Sequence, residues 1–146
     1  MKFYSIILFF ITSLTVAQSH FVTIDYDKVV VKKENRTNYI EIPFSIADGI
    51  HIQDIIETKE NVLPTALNIK FPVKSVDYSF QELQYKYVQL DAIQHKVITN
   101  MFKIRIEVHS IEGAKLPEFI EGNLFYQACN DRQCFFPRTL DFKIEL

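Results

Sequence analysis

The stretch Asn38-Tyr39-Ile40-Glu41-Ile42-Pro43-Phe44-Ser45-Ile46 decides the fold class. Ile40, Ile42, Phe44 and Ile46 stand at every second position. Successive side chains of an extended chain point to opposite sides, so this alternation puts all of them on one face of a strand and on no single face of a helix. Residues 102–109 repeat the pattern with Phe102, Ile104, Ile106 and Val108. Both stretches read as half-buried strands. Shorter runs of the same kind occur at 21–26, 29–33, 66–71, 123–129 and 139–146. The turn formers Glu34-Asn35-Arg36, Ala47-Asp48-Gly49, Glu112-Gly113 and Asn130-Asp131 separate these runs. Short strands divided by turns and ending in a hairpin predict an all-β, antiparallel sandwich. One segment leaves two readings open: Leu83, Tyr87, Leu90, Ile93 and Val97 have helical spacing, while Leu83, Tyr85 and Tyr87 alternate as in a strand.

The chain has 146 residues, 48% of them hydrophobic and 23% charged, which is the composition of one globular domain with a real core. Glycine is scarce, and no linker, repeat or low-complexity segment divides the chain. A net charge of -2 offers no basic patch to neutralise phosphates, which argues against nucleic acid as a partner. At the N-terminus Lys2 precedes an apolar stretch, 6–17, that is too short to span a bilayer comfortably. Thr15 and Ala17 are the small residues expected before a cleavage site. Residues 1–17 therefore read as a signal peptide, leaving an exported domain, 18–146, that does not span the membrane.

Export places the two cysteines, Cys129 and Cys134, where disulfides form and persist. They flank the polar residues 130–133, a hairpin loop of common length between two apolar-aromatic runs. Cysteines facing each other across its mouth would have Cα atoms about 4.5–5.5 Å apart, within reach of a disulfide. Closing a loop of about six residues gives roughly 2 kcal/mol, a poor return for a purely structural bond. Spacing alone leaves redox chemistry and simple stiffening both open. Two cysteines and four scattered histidines lack the paired spacing of a zinc site, and no nucleotide or cofactor fingerprint is present. Glu118 with Glu121, and Asp54 with Glu57, read as solvated faces rather than acid/base pairs.

The hairpin resembles that of the N-terminal domain of the DsbD thiol:disulfide interchange protein. The resemblance is carried by the Tyr126-Gln127-Ala128-Cys129 lead-in, the short polar loop, Cys134 followed by an aromatic residue, Pro137, and a final strand. A second segment, Asp48-Gly49-Ile50-His51-Ile52-Gln53, is similar to the family's strand that leaves an Asp-Gly turn with residues lining the cysteines. The resemblance implies an immunoglobulin-like sandwich in the periplasm of a Gram-negative cell. It also implies catalytic cysteines Cys129 and Cys134, with Cys134 attacked and Cys129 resolving. His51, Gln53 and Tyr126 would line the site, and Phe80 is the nearest candidate for the family's capping aromatic. The loop between the cysteines is one residue shorter than in the best-known members. The sequence contains neither the family's membrane domain nor its thioredoxin-like domain, so the expected partner is a thioredoxin-like or DsbD-type redox protein acting in trans. The competing expectation is an exported binding or docking module whose disulfide only stiffens the hairpin.

Overall fold

The computed structural model describes residues 20–35, 37–55, 63–70, 76–90, 92–109 and 117–146. The expected signal peptide, 1–17, the Glu112-Gly113 turn and Glu57 lie outside the described residues. The strands, in order, are β1 Val22–Ile24, β2 Val30–Glu34, β3 Thr37–Ile46, β4 His51–Gln53, β5 Ala66–Lys70, β6 Val76–Gln81, β7 Tyr85–Leu90, β8 Ile93–Thr99, β9 Met101–His109, β10 Phe119–Tyr126, β11 Ala128–Cys129 and β12 Arg138–Glu145. Every pairing among them is antiparallel. The architecture is the predicted all-β sandwich. Among the described residues no helix is long and apolar enough to cross a membrane.

The two alternating stretches that set the fold class pair with each other. In the register of β3 and β9, Ile40 faces Ile106, Ile42 faces Ile104 and Phe44 faces Phe102. The last pair stacks with ring centroids 5.0 Å apart and planes 4° from parallel. One face of this ladder is sealed from water, because Ile40, Ile42, Phe44, Ile104 and Ile106 are fully buried. Each such side chain contributes about 1.5–3 kcal/mol through burial. Outside β9 lies β6, and along the far edge of β3 lie both β1 and β2, completing five strands. Pro43 is tolerated inside β3 because of this split edge. β1 pairs with residues 44–46 and β2 with residues 37–41, so the donor that proline lacks faces the 3-10 turn Tyr26–Lys28 that links them. The Pro43 carbonyl on that side accepts from Asp25 N at 3.2 Å.

The remaining strands form a sheet β12-β10-β5 and a sheet β11-β4-β8-β7. A single residue, Gln127, carries the chain from β10 in the first to β11 in the second. The core draws on all three sheets: Leu124 and Phe142 come from the first of these, and Ile52, Ile98 and Ala128 from the second. The Asp-Gly turn forms as expected, with Gly49 at φ 72° and Ile50 N donating to Ala47 O at 3.1 Å. That backbone conformation is one glycine adopts without steric cost.

The ambiguous segment 83–97 is strand. β7 and β8 make a hairpin in which Tyr85 pairs with Ile98 and Val88 with His95. The helical spacing does not mark a buried stripe: Val97 is buried, but Tyr87 and Ile93 stand largely in solvent. β7 is an edge strand, and its alternating tyrosines lie on its outer part, where cross-strand pairing to β8 supplies the order.

Candidate functional site

The loop predicted between the cysteines is closed by its own sequence. Asn130 N donates to Gln133 O at 2.9 Å, and the Asn130 Oδ1 accepts from the amides of Arg132 and Gln133, each at 2.9 Å. An asparagine side chain that takes two backbone donors substitutes for a further turn of chain, which is why asparagine suits this position. Phe135 N donates to Ala128 O at 2.8 Å on the far side of the pair. Between these ties Cys129 and Cys134 are disulfide-bonded, with Cα atoms 3.9 Å apart. This is closer than the separation expected of opposed strand residues; the two form an isolated bridge at the hairpin mouth.

The two halves of the disulfide have different surroundings. Cys129 is fully buried at the end of β11. Cys134 is partly exposed and opens on a groove of about 400 Å³ shared with Gln127, Gln133, Phe135, Phe136 and Pro137. Phe136, two residues beyond Cys134, is 90% exposed, whereas Phe135 turns inward onto Phe21 with ring centroids 4.6 Å apart. The Gln127 side chain holds the segments beside the groove. Its Nε2 donates to Phe135 O at 3.2 Å and its Oε1 accepts from Leu63 N at 3.1 Å.

β4 supplies the wall behind Cys129. In its register with β11, His51 stands directly opposite Cys129. Gln53, two residues on and therefore on the same face, donates from Nε2 to Cys129 Sγ at 3.3 Å. His51 and Gln53 are 2% and 1% exposed, unusually low for such polar residues. The His51 Nε2 and the Gln53 Oε1 have no hydrogen-bond partner among the described residues. Burial holds the His51 imidazole below its ordinary pKa; Asp131 opposes that shift and Lys86 adds to it. The Asp131 and Lys86 side chains form an exposed pair at 3.9 Å. The wall is therefore buried and polar on the side of Cys129.

The residues named from the sequence thus separate into two groups. Cys129, Cys134, His51 and Gln53 come together. Tyr126 is fully buried in the common core, where desolvation is the main influence raising its phenol pKa, so it supports the strand leading to Cys129 from inside. Phe80 lies on β6 of the five-stranded sheet, its ring 6.1 Å from Phe102 and 6.3 Å from Tyr78. Phe80, the expected capping aromatic, thus packs partly buried against the core on that sheet. Asp54 is corrected. It is 2% exposed rather than solvated, with Oδ2 3.5 Å from Lys96 Nζ and Oδ1 accepting from Ile55 N at 2.8 Å. Sequence reasoning missed Gln127 as the clamp of the groove. The sequence carries no sign of that role: Gln127 lies between buried Tyr126 and Ala128 in unbroken alternation, which ends only at Cys129.

No family model matches the chain, and no curated protein is significantly similar to it. Similarity appears among solved structures. The N-terminal periplasmic domain of ScsB from Proteus mirabilis superposes with a TM-score of 0.59 at 14% identity, over 80% of this chain and 44% of that one. The chain thus spans less than half the length of that domain. The N-terminal domain of DsbD from Neisseria meningitidis, in its reduced form, superposes with a TM-score of 0.51 at 17% identity, over 80% of this chain and 81% of that one. At the level of fold, the chain is a DsbD-like antiparallel β-sandwich whose two cysteines are joined across its terminal hairpin.

Proposed function

We propose that this chain is a thiol-disulfide exchange domain that carries electron pairs on Cys129 and Cys134. The observation that supports it most directly is the asymmetry of the disulfide, one half buried on a polar wall and the other open beside an exposed phenylalanine. A partner thiolate attacks the Cys134 sulfur, a new mixed disulfide forms, and the old bond breaks with its electron pair passing to Cys129. The second thiol of the partner then attacks the mixed disulfide and releases Cys134. The partner leaves oxidised, and this chain holds two thiols for the next acceptor. The same steps in reverse deliver the pair onward.

The shared fold with the DsbD and ScsB domains supports this reading, and a thioredoxin-like or DsbD-type protein in trans is the partner it calls for. The proposed setting is the Gram-negative periplasm, reached after loss of residues 1–17. Equilibration with glutathione buffers tests the chemistry. A reduction potential in the range of exchange proteins, roughly -120 to -270 mV, is expected, and one below about -300 mV marks a structural bond and refutes the carrier function.

A further inference from the structure

We propose that Gln53 is a catalytic residue of this exchange, whose side-chain amide receives the negative charge released on Cys129 when the disulfide opens. The proposal rests on the exchange reading above and assigns one of its steps to a particular donor. Gln53 Nε2 lies 3.3 Å from Cys129 Sγ at a buried site. Its backbone is fixed on both sides: N donates to Gln127 O at 3.3 Å, and O accepts from Thr65 Oγ1 at 2.6 Å. The donor is therefore held toward sulfur before any reaction begins.

In the oxidised chain this arrangement gives a poor return. A disulfide sulfur is a weak acceptor, and the Gln53 Oε1 has no partner among the described residues, so a buried carboxamide is left incompletely satisfied. Opening the bond changes the balance. As the partner thiolate bonds to Cys134 Sγ, the pair of the broken bond goes to Cys129 Sγ, which becomes a thiolate. A hydrogen bond to an ion is about twice as strong as one between neutral groups. The same Nε2–H thus interacts more strongly with the product of the step than with its starting state, which is how a fixed donor lowers a barrier.

No other group on this wall offers that charge a cationic partner. Burial disfavours the charged form of His51, opposite Cys129, and Lys86 stands in solvent 3.9 Å from Asp131. Full burial of Cys129 by itself disfavours its thiolate. Gln53 is the donor that offsets this cost. It also fixes the polarity of exchange, with Cys129 as the leaving sulfur and Cys134 as the sulfur attacked.

The test uses the mature chain carrying Cys134→Ser, so that Cys129 is the single thiol and its ionisation can be followed by thiolate absorbance. Replacing Gln53 by Leu or Met, of similar size but without a donor, is expected to raise the Cys129 pKa by about one unit. In the two-cysteine chain the same replacements should slow reduction by dithiothreitol about threefold, taking a leaving-group sensitivity of about one half. The proposal is overturned if the pKa moves by less than about 0.3 unit, well below a hydrogen bond to an ion, in a variant that unfolds at the parent's temperature. Met is the alternative should Leu not fold. The titration needs neither disulfide nor partner, so it reads the contact independently of the reduction potential. A structural potential would remove the exchange reading with the contact intact, whereas an unmoved titration in an exchange-active chain would remove Gln53 alone.

Discussion

Reducing the Cys129–Cys134 bond should leave the domain folded and only modestly less stable, as the proposed exchange function requires. The cysteines are five positions apart, and closing a loop of about six residues is worth roughly 2 kcal/mol in the unfolded chain. Much of that closure is already made without sulfur. Asn130 N to Gln133 O at 2.9 Å, Phe135 N to Ala128 O at 2.8 Å and Gln127 Nε2 to Phe135 O at 3.2 Å all bridge the hairpin, and Asn130 Oδ1 ties two further amides. Breaking the bond should therefore cost about 1–2 kcal/mol. For a domain of this size, each kcal/mol lowers the melting temperature by about 3–5 °C, so a fall of roughly 3–10 °C is expected. Thermal and urea unfolding of the oxidised chain and of the chain held reduced, followed by circular dichroism, measure it. In Asn130→Ala the gap between the two forms should widen, since the covalent bond then closes more of the loop. A loss above about 4 kcal/mol, or a reduced chain without a cooperative transition, would refute the reasoning and mark the bond as a staple.

Three further outcomes follow from particular contacts. A Cβ on Gly122 would lie 2.5 Å from Phe142 Cζ and 2.9 Å from Asn68 O, so Gly122→Ala should destabilise by about 1–3 kcal/mol in urea, with part of the loss recovered in combination with Phe142→Leu. Burial keeps the pKa of folded His51 below that of the unfolded chain, so the unfolded chain binds a proton the folded one refuses. Stability should then fall as pH drops from about 6.5 toward the depressed folded value, by at most about 1.4 kcal/mol per pH unit from this residue. A His51→Asn chain whose unfolding has the same pH dependence as the parent would count against that account. Phe136, 90% exposed, should be replaceable by Ser within about 0.5 kcal/mol of stability while exchange with a thioredoxin-like protein slows; an unchanged rate would place docking elsewhere.

The strands legible in the sequence are those with one wet and one dry face. β3 and β9 announce themselves because each buries alternate residues against the same core, and their pairing follows from matched apolar faces. β4 gave no such pattern. His51, Ile52 and Gln53 are all buried, so its polar residues do not point to water and alternation carries no information. That segment is legible only through its likeness to the DsbD strand, and in the fold it lies between β11 and β8, with His51 opposite Cys129. The edge strand β6 is not legible, and β7 is legible only as one of two readings, for the opposite reason: Tyr78, Tyr85 and Tyr87 are aromatic yet exposed, so hydrophobicity does not report burial there. Asp54 is buried against expectation because its cation, Lys96, arrives from another strand.

By itself the sequence determined that the chain would be extended through most of its length, since only strands turn its alternating apolar residues into a continuous face. It also determined that Cys129 and Cys134 would meet, because a short polar loop between two apolar runs leaves them opposed. The tertiary structure decided what distinguishes them. β4, brought from far away in the chain, covers Cys129 with His51 and Gln53, while the chain beyond Cys134 turns out to leave Phe136 in solvent. Burial and hydrogen bonding at a sulfur depend on which strand lies beside it, and that is settled by sheet order rather than by neighbours in sequence.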